Sequence, residues 1–432
     1  MRKMLPSFIS KVFQMIEDNG FNYAVLRNYE ELPYYNKSRD IDILIRKQDY
    51  TAIRKKMTHL CEQENIFIVS YFKSERLRTF ICGTIAENNI ELMQFDFFIH
   101  TSAYGHIILT AEEMLSSRKK ENGVYHVDKV YQLLDKYLYL KYIGSKLPQK
   151  YESLKDSLIS SPDLEKVLYS FGISSFAELE NMSMMEFRRK VSKRMVGSLK
   201  NIFSFWKYYL GNLLIYKGYS IGFTGPDGSG KTTIINNLCE KYSMVYSRIA
   251  VHHFRPTMFG NLGEVAHNAK MKKTVDKNFD KPHRGGRVGT LNSLLRLFYY
   301  SIDYIVGYWM KIRKILERRE LVIFDRYYSD IICDSSRSRI YMPTKFLYWF
   351  GRLFIPALNY NILLTASTTT ILNRKNELDK EGVEAINKNI DYLKYKKGYY
   401  KVLNEGTPQE AVAKILGIVF EEQHKKNLKR LK

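Results

Sequence analysis

Residues Gly225 to Thr233 read Gly-Pro-Asp-Gly-Ser-Gly-Lys-Thr-Thr, a complete G-x-x-x-x-G-K-T phosphate-binding loop. The glycines let backbone N–H groups curl around a polyphosphate. Lys231 supplies a point charge, and Thr232 offers a hydroxyl to Mg²⁺. Gly225, Asp227, Gly228, Ser229, Gly230, Lys231, Thr232 and Thr233 are thus the expected contacts of a nucleoside triphosphate, with ATP and Mg²⁺ the implied cofactors. A second constellation is Leu321-Val-Ile-Phe-Asp325-Arg326-Tyr327. An apolar strand ending in an acid sets that carboxylate at a sheet edge, where Asp325 suits Mg²⁺ and Arg326 a transferring phosphoryl group. A third is Ser38-Arg39-Asp40-Ile41-Asp42-Ile43-Leu44-Ile45, in which alternation puts Asp40 and Asp42 on one face of a strand. The run Ile90 to Phe98 offers Asp96 as a third carboxylate. Three such groups suit two Mg²⁺ ions, making Asp40, Asp42 and Asp96, beside Thr232 and Asp325, the candidate metal ligands.

These groups need elements to hold them. The apolar run Tyr219, Ile221, Phe223 precedes the loop and a helix-like stretch follows from Ile234, so the loop sits between strand and helix. From about residue 217 strands and helices alternate (Tyr219 to Phe223, Ile249 to His253, Leu321 to Phe324, Ile362 to Thr365), which predicts an α/β fold with a parallel sheet and helices on both faces. Residues 1–120 mix an opening amphipathic helix with short strands (Tyr23 to Leu26, Ile41 to Ile45, Ile66 to Tyr71, Ile90 to Phe98), an α+β pattern. Residues 121–216 read as helical: Leu133, Leu134, Tyr137 and Leu138 recur at helical spacing, and Ser161-Pro162-Asp163 marks a helix start. The expected organisation is therefore 1–120, 121–216 and 217–432.

The loop together with Asp325-Arg326-Tyr327 resembles thymidylate kinase and its nucleoside-monophosphate-kinase-like relatives, over roughly residues 217 to 420. The resemblance implies an ATP-dependent phosphotransferase, with Lys231, Asp325, Arg326 and Arg374 as catalytic residues. Arg374, in Arg374-Lys375-Asn376-Glu377-Leu378, falls where the lid carries its arginines. Arg255, in Phe254-Arg255-Pro256-Thr257, falls where the family has an acceptor-binding arginine, and Asp227 where relatives contact an acceptor sugar hydroxyl. Arg326 would also orient the acceptor. After Leu294-Leu295-Arg296-Leu297-Phe298, however, Asp303-Tyr304 replaces the family's acceptor-binding arginine, so Tyr304 marks an altered acceptor pocket. The acceptor is a small molecule, a nucleoside monophosphate or a sugar-type metabolite.

The N-terminal carboxylates resemble the nucleotidyltransferase fold, with residues after Asp128 as its helical companion. Leu26-Arg27-Asn28-Tyr29 stands where that fold has its glycine-containing turn.

Composition sets the remaining bounds. The 432-residue chain carries a formal net charge of +23. That excess admits nucleic acid, an anionic membrane surface or phosphorylated substrates, and equally a lysine-rich surface with no dedicated partner. Local clusters are Lys270 to Lys273, His283 to Arg287 and the tail from Lys425. Apolar stretches are too short to span a membrane, no signal peptide opens the chain, and Cys61, Cys82, Cys239 and Cys333 lack metal or redox spacing, which together imply a cytoplasmic protein. A homodimer is admitted. Other classes left open are a polynucleotide-end processing protein and a regulatory NTPase.

Overall fold

The computed structural model describes residues 4–194, 198–214, 218–256, 258, 289–375 and 378–431. The basic clusters at 270–273 and 283–287, Thr257 and the lid residues Asn376 and Glu377 lie outside them. The chain forms two compact units, one of Met1–Thr84, Glu91–Leu214 and Phe420–Lys432, the other of Ile85–Ile90 and Ile215–Val419. Residues 121–214 of the expected helical stretch are therefore part of the first unit, and so is the end of the chain.

In the first unit, β1 (Tyr23–Val25), β2 (Asp40–Ile45), β3 (Phe67–Lys73), β4 (Leu77–Ala86), β5 (Asn89–Phe98), β8 (Lys119–Glu121) and β9 (Val124–His126) form one sheet in the order β3-β4-β5-β2-β1-β9-β8. β6 (His100–Ala103) and β7 (His106–Thr110) make a separate hairpin. Strand alternation sorts the faces. Ile41, Ile43, Ile45, Phe95 and Phe97 pack with Val12, Ile53 and Met57 of the helices Met4–Asp18 and Tyr50–Gln63. Leu44 and Phe98 join the other core, with Leu133, Leu134 and Phe187. The helix Lys129–Ile143 covers this second face. Asp128 caps its start by accepting from Val130 N, and Gly144 ends it at φ 76°.

The second unit is built on a five-stranded parallel sheet in the order β11-β12-β10-β13-β14, from β10 (Ser220–Thr224), β11 (Ile249–His253), β12 (Leu321–Asp325), β13 (Tyr360–Thr365) and β14 (Tyr399–Leu403). It is a mixed α/β architecture with helices on both faces. The chain steps from β10 outward to one side and then returns to the other. That reversal opens a crevice at the C-terminal edge of β10, the position where open α/β sheets receive ligands.

Candidate active sites

The phosphate loop leaves β10 at that edge and enters the helix Lys231–Ser243, which is anchored by buried Ile234, Ile235 and Leu238. Gly230 caps the helix at φ 89°, and a Cβ there would lie 2.6 Å from Asn404 Nδ2. Only glycine fits that conformation and that approach. Asn404, just past β14, donates from Nδ2 to Ser229 O at 2.8 Å, while its own N–H reaches Thr365 O at 2.8 Å. It pins the loop from the neighbouring strand end.

Lys231 is buried and folds back on its own loop, donating to Gly225 O and Pro226 O at 2.9 Å each. Burial, then repulsion from Arg326, pushes its ammonium down to about 7 against the pull of Asp227, Asp330 and Asp325. Carbonyl oxygens are its partners where an anion would serve better. Thr232 and Thr233 are exposed at the mouth of the loop.

Asp325 ends β12 beside the loop, in register with Phe223 of β10 and His253 of β11. Its Oδ2 meets His253 Nδ1 at 3.1 Å; its Oδ1 is buried with no hydrogen-bond partner among the described residues. Burial works to raise this carboxyl, but the His253 hydrogen bond, Lys231 and Arg326 hold it below its ordinary value. An ionised, half-satisfied carboxylate at this strand end fits a divalent cation, so Asp325, with Thr232 of the loop, would hold Mg²⁺ here.

Arg326 takes φ 75°, a conformation that turns its side chain back onto the loop. It donates to Asp227 Oδ1 at 2.5 Å, Asp330 Oδ1 at 2.8 Å and Gly225 O at 3.3 Å. Arg337 takes the other Asp227 oxygen and reaches Asp334 Oδ2 at 3.3 Å. Burial would raise Asp227, but Arg326 and Arg337, with Lys231, bring it down to about 2. Asp330 is raised, chiefly by burial; its Oδ2 makes no hydrogen bond among the described residues but lies 3.9 Å from Arg337 Nε. The charge-rich segment 325–339 is thus largely a buried network wired to the loop. Arg339 stands apart from it at φ 55°.

Three expected acceptor or lid residues sit differently from a simple open pocket. Arg255 is buried and bonded to Asp303 Oδ2 at 3.0 Å, with Tyr300 beneath its guanidinium at 4.5 Å. Tyr304 is fully buried, its hydroxyl donating to Phe254 O at 3.3 Å and its ring edge-on to Tyr327 at 4.8 Å. It braces the Phe254–Arg255 segment and does not face solvent. Arg374, exposed at the end of the helix Thr368–Arg374, donates to Asn404 O at 3.0 Å. It therefore meets the same residue that pins the loop.

In the first unit, β2 and β5 run parallel with Asp42 opposite Asp96. Carboxylate oxygens of Asp40, Asp42 and Asp96 all lie within 4.8 Å of one another. Arg27, in the turn after β1, donates to Asp42 Oδ2 at 2.5 Å and lies 3.7 Å from Asp135 on the covering helix. Asp42 Oδ1 is buried without a hydrogen-bond partner among the described residues. Asp96 accepts from Thr79 Oγ1 and from Gln94 Nε2 at 2.9 Å. Burial, offset by Arg27 and reinforced by Asp40, lifts Asp42 to about 6; burial and then Asp42 lift Asp96 to about 7. Burying like charges together with a single arginine costs free energy that a divalent cation would relieve. The donor set and the orphaned oxygen fit Mg²⁺.

Asn404 and the pairing of Arg27 had no signature in the motifs, although Asn404 follows an apolar strand just as Asp325 does. No protein-family model matches the chain, and no curated protein matches it. Among solved structures, thymidylate kinase from Ehrlichia chaffeensis is similar over 47% of this chain and 98% of that chain, at 15% identity and a TM-score of 0.33. So slight a likeness decides nothing about activity, which rests on the geometry above.

Proposed function

We propose that the second unit is an ATP-dependent phosphotransferase, and that the first carries a divalent-cation site of the nucleotidyltransferase type. The observation that carries the first reading is Lys231: a buried ammonium at the start of a helix, hydrogen-bonded among the described residues only to carbonyl and hydroxyl oxygens of its own loop. A triphosphate would give it an anionic partner. The acceptor oxygen then attacks the γ-phosphorus while the bond to the β–γ bridging oxygen breaks. Lys231 and the amides meet the charge that develops on the phosphates, and Arg374 enters from the lid. Mg²⁺, held by Thr232 and Asp325, supplies further charge neutralisation when bound. Asp227, fixed by Arg326 and Arg337, stands beside the loop to accept from an acceptor hydroxyl.

Of the two acceptor classes, the described residues favour the sugar-type metabolite. Arg255, Arg326 and Arg337 are each committed to carboxylates, Arg337 Nε lying 3.9 Å from Asp330 Oδ2 as well, so none of the three is spare for a second phosphate. An uncharged, hydroxyl-rich acceptor asks less of these arginines than a second phosphate does. The test is labelled-ATP transfer against nucleoside monophosphates, sugars and polyol phosphates. Transfer to sugar-type hydroxyls supports the reading; transfer to dTMP alone would overturn the acceptor, and full activity in Lys231→Ala would overturn the kinase.

For the first unit, the orphaned Oδ1 of Asp42 facing Asp40 and Asp96 favours cation binding. Loss of Mn²⁺ or Mg²⁺ binding in Asp40→Asn/Asp42→Asn supports it, and an unchanged affinity would end it.

A further inference from the structure

The helix Ser198–Leu214 carries apolar side chains on two faces, and among the described residues only one of them is covered. On the covered side, Phe205 meets Tyr104 edge-on at 6.1 Å, and Tyr208 lies under Lys73 at 5.5 Å and Arg78 at 5.7 Å. The backbone at Ile202 presses against Gly105, where a Cβ would lie 2.7 Å from Ile202 Cα. The other side presents Leu199 (82% exposed), Phe203 (73%), Trp206 (52%) and Leu210 (56%). Their spacing of four, three and four residues aligns them in one stripe along the helix. Lys200 and Lys207 are exposed along one edge of that stripe.

Charge adds a second, independent observation. Between Glu186 and Asp227 the chain contains eight Lys or Arg and no Asp or Glu. Lys190 pairs with Glu178 and Arg194 with Glu113. Arg189, Lys193, Lys200 and Lys207 are exposed and make no ion pair among the described residues. An apolar, Trp- and Phe-bearing stripe edged by free cations is what an amphipathic helix presents to the boundary between anionic headgroups and acyl chains. The rings and leucines enter the boundary while the lysines reach up to phosphate.

We propose that this face docks on an anionic phospholipid bilayer, holding the chain at the membrane surface. The helix lies in the interface and does not cross it: its 17 residues extend about 25 Å at the α-helical rise, short of the ~30 Å hydrocarbon core. Among the described residues no helix is long and apolar enough to span. A second copy of the chain is a poorer occupant, since facing stripes would bring the two sets of cations together. Nucleic acid would leave aliphatic Leu199 and Leu210 without a partner.

The experiment is flotation of the full chain with phosphatidylcholine vesicles, with and without about 30% phosphatidylglycerol. Emission is read in Trp309→Phe/Trp349→Phe, which leaves Trp206 as the reporter. Expected are flotation with the anionic vesicles alone and a blue shift of Trp206. Binding falls about tenfold in Lys200→Glu/Lys207→Glu and at least as much in Phe203→Ser/Leu210→Ser. All four side chains are exposed, so unchanged far-UV circular dichroism separates lost docking from lost folding. No flotation with anionic vesicles at low salt would overturn the proposal. So would flotation unaffected by either double variant, or a solution dimer that Phe203→Ser/Leu210→Ser dissolves.

Discussion

Both candidate sites are built on strands and both gather buried aspartates, yet their electrostatics differ in direction. Around the phosphate loop each carboxylate arrives with cations. Asp227 has Arg326 and Arg337, Asp325 has Lys231 nearby and a hydrogen bond with His253, and both are held below their ordinary values; only the fully buried Asp330 behind them is raised. In the first unit, Asp42 and Asp96 are buried together with one arginine, and both are raised. At the loop, Lys231 feels nearby carboxylates but hydrogen-bonds only carbonyl and hydroxyl oxygens, not an anion. The strand site lacks a cation for three carboxylates. Placement of charge in the resting protein thus indicates what each site is built to receive.

The sharpest way to break this contrast is Lys231→Ala. It removes the one ammonium inside the loop, and phosphotransfer is expected to fall by about a thousandfold. The first unit's Mn²⁺ affinity should stay as it was. Steady-state transfer and metal titration on the same variant check both halves.

Removing Arg27 probes the other side. In Arg27→Met, Asp42 and Asp135 lose their cation, so the metal-free first unit should lose roughly 3 kcal/mol of stability. Mn²⁺ should restore more stability in this variant than in the parent. Chemical denaturation with and without the metal measures both. A variant as stable as the parent would mean that the arginine is not the counter-charge described here.

Asn404→Ala is subtler. It deletes the hydrogen bond that pins Ser229 O, and the loop should loosen enough to weaken ATP binding about fivefold. Titration calorimetry reads that change directly, and the first unit should be indifferent.

The smallest effect concerns pH. Asp42 and Asp96 titrate near 6 and 7 in the folded chain and near 3.8 unfolded, so between those values the native state binds the extra protons. The stability they contribute is present at low pH and is lost as pH rises through 6 to 7. Stability of the metal-free first unit should therefore decline from pH 5 to 8, and Asp42→Asn should flatten that slope. Hydrogen exchange of β2 and β5 against pH separates this from changes elsewhere in the chain.

What could be read ahead of the structure was local. The phosphate loop announces itself because strand, glycines, lysine and helix are contiguous. Asp40, Asp42 and Asp96 could be paired in advance because period-two alternation dictates their faces. The parallel sheet of the second unit followed from alternating strands and helices in the same way.

Relations that depend on distant packing were not legible. Tyr304 looked like an altered acceptor contact, and its burial against Tyr327 emerges only when two segments meet. Arg255 carries the right type at the right place, yet its partner Asp303 lies 48 residues away. β4 escaped notice because polar Arg78, Thr79 and Thr84 interrupt a strand that is nevertheless buried. The last residues read as a basic tail, but Leu431 packs into the first unit's core and His424 accepts from Ile68 N.

The central claim is that one site awaits an anion and the other a cation. Hydrogen–deuterium exchange on the full chain tests it most directly, with ATP in EDTA and, separately, with Mn²⁺ alone. ATP without metal should slow exchange in residues 225–233 and leave β2 and β5 unchanged. Mn²⁺ without nucleotide should slow exchange in β2 and β5 and be lost in Asp40→Asn/Asp42→Asn. Protection of residues 225–233 by neither ATP nor ATP with Mn²⁺, or no response of β2 and β5 to Mn²⁺, would contradict the account.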